Sequence, residues 1–287
     1  MSETAPEMTS VAEMIRGFRE KAGMSDTVSD ISPNDVAQMA CDAFNKMKGS
    51  VPGKHCPICL NKGYIEEISD SGETIMVECG CMPKRRAMWR IEESGLGTKI
   101  AECRFDNYLT SEPWQKSIYD GAKRFLEDYA GKWFYIGGQV GAGKTHICTA
   151  IAAEFLNRGK DVRYMLWRDE IVRIKAAVND DEEYARLVVP LKTVPVLYID
   201  DFFKTGIGDK GQKLRPTPGD INVAFEILNY RYNSSESVTI LSGEWFVDEL
   251  LNIDESIGSR IYHRSKDFAL EIEREHSRNY RIKRAVV

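Results

Sequence analysis

The chain contains no apolar run approaching the ~20 residues needed to span a bilayer, which excludes a transmembrane helix. Its first residues, Met1-Ser2-Glu3-Thr4-Ala5-Pro6, lack the basic and apolar regions of a secretory signal, so a cytoplasmic location without membrane contact is expected. There is no excess of positive charge. Lys and Arg number 39 against 44 Asp and Glu, a net charge of −5, so no global basic field argues for nucleic acid and only a local patch is left to do so. Neither an internal repeat nor a low-complexity tract is present. A disulfide framework does not suit a reducing compartment, so the seven cysteines need another explanation. What remains, at 43 % hydrophobic and 29 % charged residues over 287 positions, is an ordinary globular chain of one large domain or of a medium domain with a small one.

Four of the cysteines cluster. Cys56-Pro57-Ile58-Cys59 leads through a Gly-Tyr-Ile stretch and a turn at Asp70-Ser71-Gly72 to a strand-like Thr74–Val77 and then Cys79-Gly80-Cys81. Two knuckles joined by a hairpin can set four thiolates around one Zn²⁺, each at about 2.3 Å. Cysteine at all four positions leaves no open coordination site, so a structural ion is expected rather than a catalytic one. Four free thiols are the alternative. His55 reads as a solvated turn residue, and Cys41, Cys103 and Cys148 as small core residues. The basic run Lys84-Arg85-Arg86, with Arg90 beyond, suits nucleic acid, an acidic partner or simply a solvated helix face. Residues 1–50 are polar, with helices expected over 11–22 and 33–47 and a linker over 25–30.

Residues 138–145, Gly138-Gln139-Val140-Gly141-Ala142-Gly143-Lys144-Thr145, fit the P-loop pattern G-x-x-x-x-G-K-[ST] at every fixed position. The glycines let successive backbone N–H groups point inward at a phosphate, Lys144 reaches the β- and γ-phosphates of ATP, and the Thr145 hydroxyl ligates Mg²⁺. The octet follows a strand-like Trp133–Ile136. It opens a stretch with Ile147, Ala150, Ile151 and Phe155 at helical spacing, so its context is correct and His146 completes the nucleotide-binding set. From Phe105 onward strands are expected near 133–136, 162–166, 194–199, 238–241 and 268–272. Helices are expected near 114–129, 145–158, 168–178, 181–190 and 220–233, an α/β pattern with a mainly parallel five-stranded sheet.

The run Val194–Ile199 ends in Asp200-Asp201, a Walker B pattern. Asp200 is expected to hold the Mg²⁺ and Asp201 to orient or deprotonate the attacking water. The strand Val238–Leu241 ends in Ser242-Gly243-Glu244, and Ser242 or Glu244 is the candidate contact to the γ-phosphate or the lytic water. Arg260 and Arg264 are four apart, on one helical face, and an arginine supplied in trans stabilises a transferring phosphoryl group. Arg260 is the candidate for that role, with a surface salt bridge as the alternative.

In order and spacing, Gly141–Ile147, Leu197–Asp201 and Gly258–Ile261 resemble the AAA+ ATPases of the DnaC/DnaI helicase-loader group, including phage-encoded relatives. Phe105-Asp106-Asn107-Tyr108 is similar to that group's entry to the ATPase domain, and the Cys-x₂-Cys…Cys-x-Cys unit to the cysteine-rich region of loaders from Gram-positive bacteria and their phages. The resemblance implies an AAA+ P-loop NTPase preceded by a small helical and zinc-binding N-terminal domain. The segments would be 1–50 (helical or partly flexible), 51–90 (zinc unit) and 100–287 (ATPase with a reduced lid). It further implies docking of the N-terminal region onto a DnaB-type hexameric helicase, self-association through the ATPase domain and contact with single-stranded DNA. Arg260 matches the arginine-finger position of that group. Three features depart from it: Asp200-Asp201 in place of Asp-Glu, which implies slow hydrolysis, Ser-Gly-Glu in place of Ser-Asn, and little chain for a lid. Arg278, Arg281 and Arg284 would then face DNA rather than ATP. A transposition helper of the IstB type shares the same core, and a metabolic P-loop kinase is a third reading that leaves Arg260 and the cysteine unit without a purpose.

Overall fold

The computed structural model describes residues 33–206 and 214–283. The helix expected over 11–22, the linker after it and Arg284 lie outside the described residues. The chain divides into two compact units, residues 1–83 and 84–287.

In the first unit, helix α1 (Pro33–Lys46) precedes an antiparallel hairpin of β1 (Tyr64–Ile68) and β2 (Thr74–Glu78), paired from Tyr64↔Glu78 to Ile68↔Thr74. Asn45 clamps the helix to the hairpin, donating from Nδ2 to the Glu66 carbonyl at 2.9 Å and accepting from the Glu66 amide at 3.0 Å. The cysteines form this unit's own buried cluster, with Ile65 packed against it.

In the second unit, after α2 (Met82–Ser94) and the short α3 (Lys99–Glu102), five parallel strands alternate with helices. These are α4 (Pro113–Glu127), β3 (Trp133–Gly138), α5 (Lys144–Asn157), β4 (Val162–Leu166), α6 (Trp167–Ala176), α7 (Asp181–Thr193), β5 (Val196–Phe202), α8 (Pro218–Tyr232), β6 (Val238–Gly243), α9 (Val247–Ile253), α10 (Glu255–Ser265) and β7 (Ala269–Ile272). The sheet order is β4-β5-β6-β3-β7, so the P-loop strand sits between β6 and β7. The strands read as nearly unbroken apolar runs because both faces are covered. Side chains alternate. Trp133, Tyr135, Leu197, Ile199 and Leu241 enter one core, and Phe134, Ile136, Val196, Tyr198 and Ile240 enter the other, beneath α4 and α5. Among the described residues no helix is long and apolar enough to cross a membrane.

Two boundaries differ from expectation in a way that matters. β5 begins at Val196 because Pro195 has no N–H to give the ladder, and it runs on through Asp200 and Asp201. β6 likewise continues to Gly243, so Ser242 lies inside the sheet rather than at its tip.

Arg231, near the end of α8, is fully buried without a carboxylate partner in its hydrogen-bond set. Its guanidinium donates to Thr239 Oγ1 (2.9 Å) and to the carbonyls of Leu191 (3.2 Å), Lys192 (3.2 Å), Val194 (2.8 Å) and Val238 (2.6 Å). It satisfies the acceptors where α7 turns into β5 and where β6 starts, while burial pulls its pKa down to about 9. Arg231→Met is therefore expected to cost about 3 kcal/mol in urea denaturation, since it strands several buried carbonyls.

Candidate functional site

The P-loop runs from the C-terminal end of β3 to the first turn of α5, at the edge of the sheet where parallel folds bind ligands. Gly138 has φ +100° and Gly141 φ +73°. Gly138 is needed for space as well as conformation, since a Cβ there would stand 2.0 Å from the Ile272 carbonyl oxygen; one on Gly141 would meet the Asn279 carboxamide, 2.1 Å from Oδ1. Gly143 caps α5 in the left-handed conformation, and the helix's partial positive end faces the loop. Lys144 is 7 % exposed and its Nζ donates to the carbonyls of Gly138 (2.9 Å) and Gln139 (2.6 Å). Val140, Gly141, Lys144 and Thr145 line a recess of about 210 Å³ that Asp201 and Glu244 also line. A neighbouring recess of about 490 Å³ is bordered by Tyr108, Leu109, Ala142, Gly143 and Tyr280.

Asp200 is the hub of the site. It is 3 % exposed. Its Oδ1 accepts from Thr145 Oγ1 at 3.1 Å and from the Ser242 hydroxyl; its Oδ2 accepts from the Tyr164 hydroxyl at 3.1 Å, with Lys99 Nζ 4.0 Å away. Burial and then the Asp200 charge hold the Tyr164 phenol above its ordinary pKa, so it stays a donor. An anionic oxygen and a hydroxyl 3.1 Å apart beside a phosphate loop form the donor pair that Mg²⁺ takes from P-loop proteins. Ser242 faces this carboxylate, and its Oγ also accepts from the Asp201 amide at 3.3 Å.

Asp201 sits at φ +56° on a register shift between β5 and β6, which turns its side chain out of the pleat alternation. The structure adds a residue that no motif announces: Lys204 pairs with Asp201 at 2.8 Å and with Glu244 at 3.6 Å. His146 lines the recess too, but its ring is tied at Nε2 to the Arg104 carbonyl (2.9 Å) and Asn107 Oδ1 (3.0 Å). Arg281 also lines the recess, and Tyr280 donates its amide to the Gly141 carbonyl at 3.0 Å. Arg278 instead pairs with Glu273 (2.7 Å) and Glu275 (3.3 Å).

Arg260, on α10, stands apart from this recess. Nη1 donates to Ser256 O and Oγ, both at 2.7 Å, Nε donates to Asn229 Oδ1 at 3.2 Å, and the guanidinium lies 5.0 Å from the Phe225 ring centre. Arg264 is committed to the carbonyls of Gly131, Tyr232 and Ser234. Arg85, in the basic run, is buried, which a solvated face does not require.

In the first unit the four sulfurs of Cys56, Cys59, Cys79 and Cys81 all lie within 4.8 Å of one another. Cys56–Cys79 is 3.8 Å and Cys59–Cys81 is 3.7 Å. A regular tetrahedron with metal–sulfur bonds of about 2.3 Å has edges of about 3.8 Å, so the donor set is spaced for one tetrahedral ion. Burial opposes ionisation of Cys59, but the Gly63 amide and the neighbouring thiols bring it down to about 6. His55 is exposed and outside this set.

A family model described as IstB-like ATP binding protein matches residues 107–284. Protein YqaM of Bacillus subtilis is 29 % identical over 72 % of this chain and 66 % of its own length. The phage-like element PBSX protein XkdC, from the same organism, is 27 % identical over 76 % of this chain and 82 % of its own. The replicative helicase loader DnaC of Escherichia coli is 30 % identical over 38 % of this chain and 45 % of its own. The chain thus spans about two thirds of the first of these relatives and less than half of the last.

The packing of the loop gives its own prediction. Gly138→Ala drives a Cβ into the Ile272 carbonyl at a positive φ. It is expected to destabilise the second unit by about 2 kcal/mol or more, read from the urea midpoint.

Proposed function

The chain belongs to the family of IstB-like ATP-binding proteins, and we propose that it is an ATPase that loads a replicative hexameric DNA helicase. The observation that carries this is the Thr145–Asp200 contact at 3.1 Å beside Lys144, in a chain similar to a protein named replicative helicase loader DnaC. In this reading the amides of residues 138–146 and the Lys144 ammonium bind the triphosphate of ATP, and the recess beside Tyr108 and Tyr280 receives the base. Thr145 and Asp200 would hold Mg²⁺, which would supply positive charge against the phosphates. Ser242 and Tyr164 orient Asp200, and Asp201 accepts a proton from the attacking water. Arg260, held on α10 away from its own loop, serves a neighbouring copy.

The cysteine unit holds Zn²⁺ and, with the residues before it, is the docking region for a DnaB-type helicase. Contact with single-stranded DNA and self-association belong to the same reading, as does action in the cytosol. The description of the family favours a second reading, a helper ATPase for a transposase.

Capture on the immobilised full chain separates the two. A DnaB-type hexameric helicase is expected to be retained in the presence of Mg-ATP. Lys144→Ala, binding Mg-ATP about tenfold more weakly or worse, is expected to lose the nucleotide dependence of that capture. No retention under any nucleotide condition sinks the loader reading, and retention of a transposase in its place supports the second one. For the cysteine unit, elemental analysis of purified protein should find about one zinc per chain, lost in a Cys59→Ser/Cys81→Ser variant. Less than about half an equivalent counts against the site.

A further inference from the structure

The end of β5 is built to place one ammonium group. Asp201 and Phe203 both take the left-handed conformation, at φ +56° and +55°. Between and beside them Phe202 and Phe203 are buried, their ring centres 4.1 Å apart, and both meet Trp167 edge-on. The Trp245 indole N–H donates to the Phe203 carbonyl at 2.9 Å, and the Lys204 amide donates to the Asp201 carbonyl at 2.9 Å. Trp245 directly follows Glu244. The same indole therefore fixes the turn that carries Lys204 and the loop that carries Glu244. Strain at two non-glycine residues is held here by three buried aromatic rings, an arrangement that costs free energy and is kept where geometry matters.

That geometry sets Lys204 Nζ between two carboxylates, Asp201 at 2.8 Å and Glu244 at 3.6 Å, in the recess shared with Lys144 and Thr145. Burial disfavours the lysine's charge, yet the hydrogen bond to Asp201 and the charges of Asp201 and Glu244 raise its pKa above the ordinary value, so the ammonium persists at neutral pH. The Asp201 oxygen that accepts from this ammonium is thereby taken up and turned away from a hydrogen bond with water.

We propose that Lys204 is a positioning residue that restrains ATP hydrolysis by occupying Asp201, and that Glu244 opposes the restraint by competing for the same ammonium. This rests on the reading of the recess as an ATPase site. In the step it restrains, the water oxygen bonds to the γ-phosphorus while the bond from that phosphorus to the β–γ bridging oxygen breaks. The electron pair leaves with ADP, and the water's proton passes to Asp201 and on to solvent. Only an Asp201 released by Lys204 takes that proton. The slow turnover expected of a switch is then set by how one cation divides its time between two anions.

The two residues make opposite predictions, which a merely structural role does not. At saturating Mg-ATP, Lys204→Met should raise kcat about threefold to tenfold, with the Kd for Mg-ATP changed by no more than about twofold. Glu244→Gln should lower kcat, because Lys204 then rests on Asp201 alone. In the Lys204→Met background Glu244→Gln should have no further effect. Lys204→Gln repeats the test should the methionine variant fold poorly. A kcat that is unchanged or lower on removal of the lysine's charge overturns the proposal, as does an equal loss from Glu244→Gln in both backgrounds. A wild type that binds Mg-ATP, with neither it nor Lys204→Met turning it over, overturns the restraint and leaves the nucleotide site standing. Failure of the wild type to bind Mg-ATP overturns the underlying reading itself.

Discussion

One buried carboxylate holds the second unit's working edge together. Asp200 takes hydroxyl donors from three different elements: Thr145 at the start of α5, Tyr164 in the middle of β4 and Ser242 in β6. A charge this deep is tolerated only when its lone pairs are met, here by three hydroxyls with the Lys99 ammonium 4.0 Å away. The requirement runs outward. It fixes how far β5 extends past Ile199, which strand must lie beside it, and where the first turn of α5 stands against the sheet. The sheet order puts β6 between β5 and the P-loop strand, and Ser242 is thereby within reach of Asp200 while the phosphate loop lies one strand further on.

The outline of this architecture was legible because it depends on local pattern. Short apolar runs of aromatic and β-branched residues marked β3, β4, β5 and β6, and helical spacing after Lys144 marked α5. Cys56, Cys59, Cys79 and Cys81 were legible because spacing and a hairpin suffice to bring four thiols together. What escaped is what the tertiary fold assembles. Tyr164 and Lys99 reach Asp200 across gaps of 36 and about a hundred positions, with no motif around either. Lys204 is near Asp201 in sequence, but its position depends on two left-handed residues that no glycine announces. Arg231 reads as a surface arginine of a helix until α7 and β6 close around it. Helix α9 was not foreseen because seven residues are too few for a helical period to stand out.

The two halves of the chain rely on different physics. The second unit buries aromatic and branched side chains on both sides of a five-stranded sheet, and its stability is distributed over that area. The first unit's buried cluster consists of cysteines with Ile65 at their side. Among its described residues, order rests on sulfur contacts and the Asn45 clamp more than on apolar volume.

The contact between the short helix Tyr280–Lys283 and the phosphate loop has a practical side. Tyr280 gives its amide to the Gly141 carbonyl, and the Asn279 carboxamide fills the space a Cβ on Gly141 would take. Loop and tail are therefore tied to each other through backbone and side chain alike. By thermodynamic reciprocity, whatever grips the tail and whatever occupies the loop change each other's hold by the same factor. A substitution at Asn279 or Tyr280 is thus also a change to the backbone that cradles the anion.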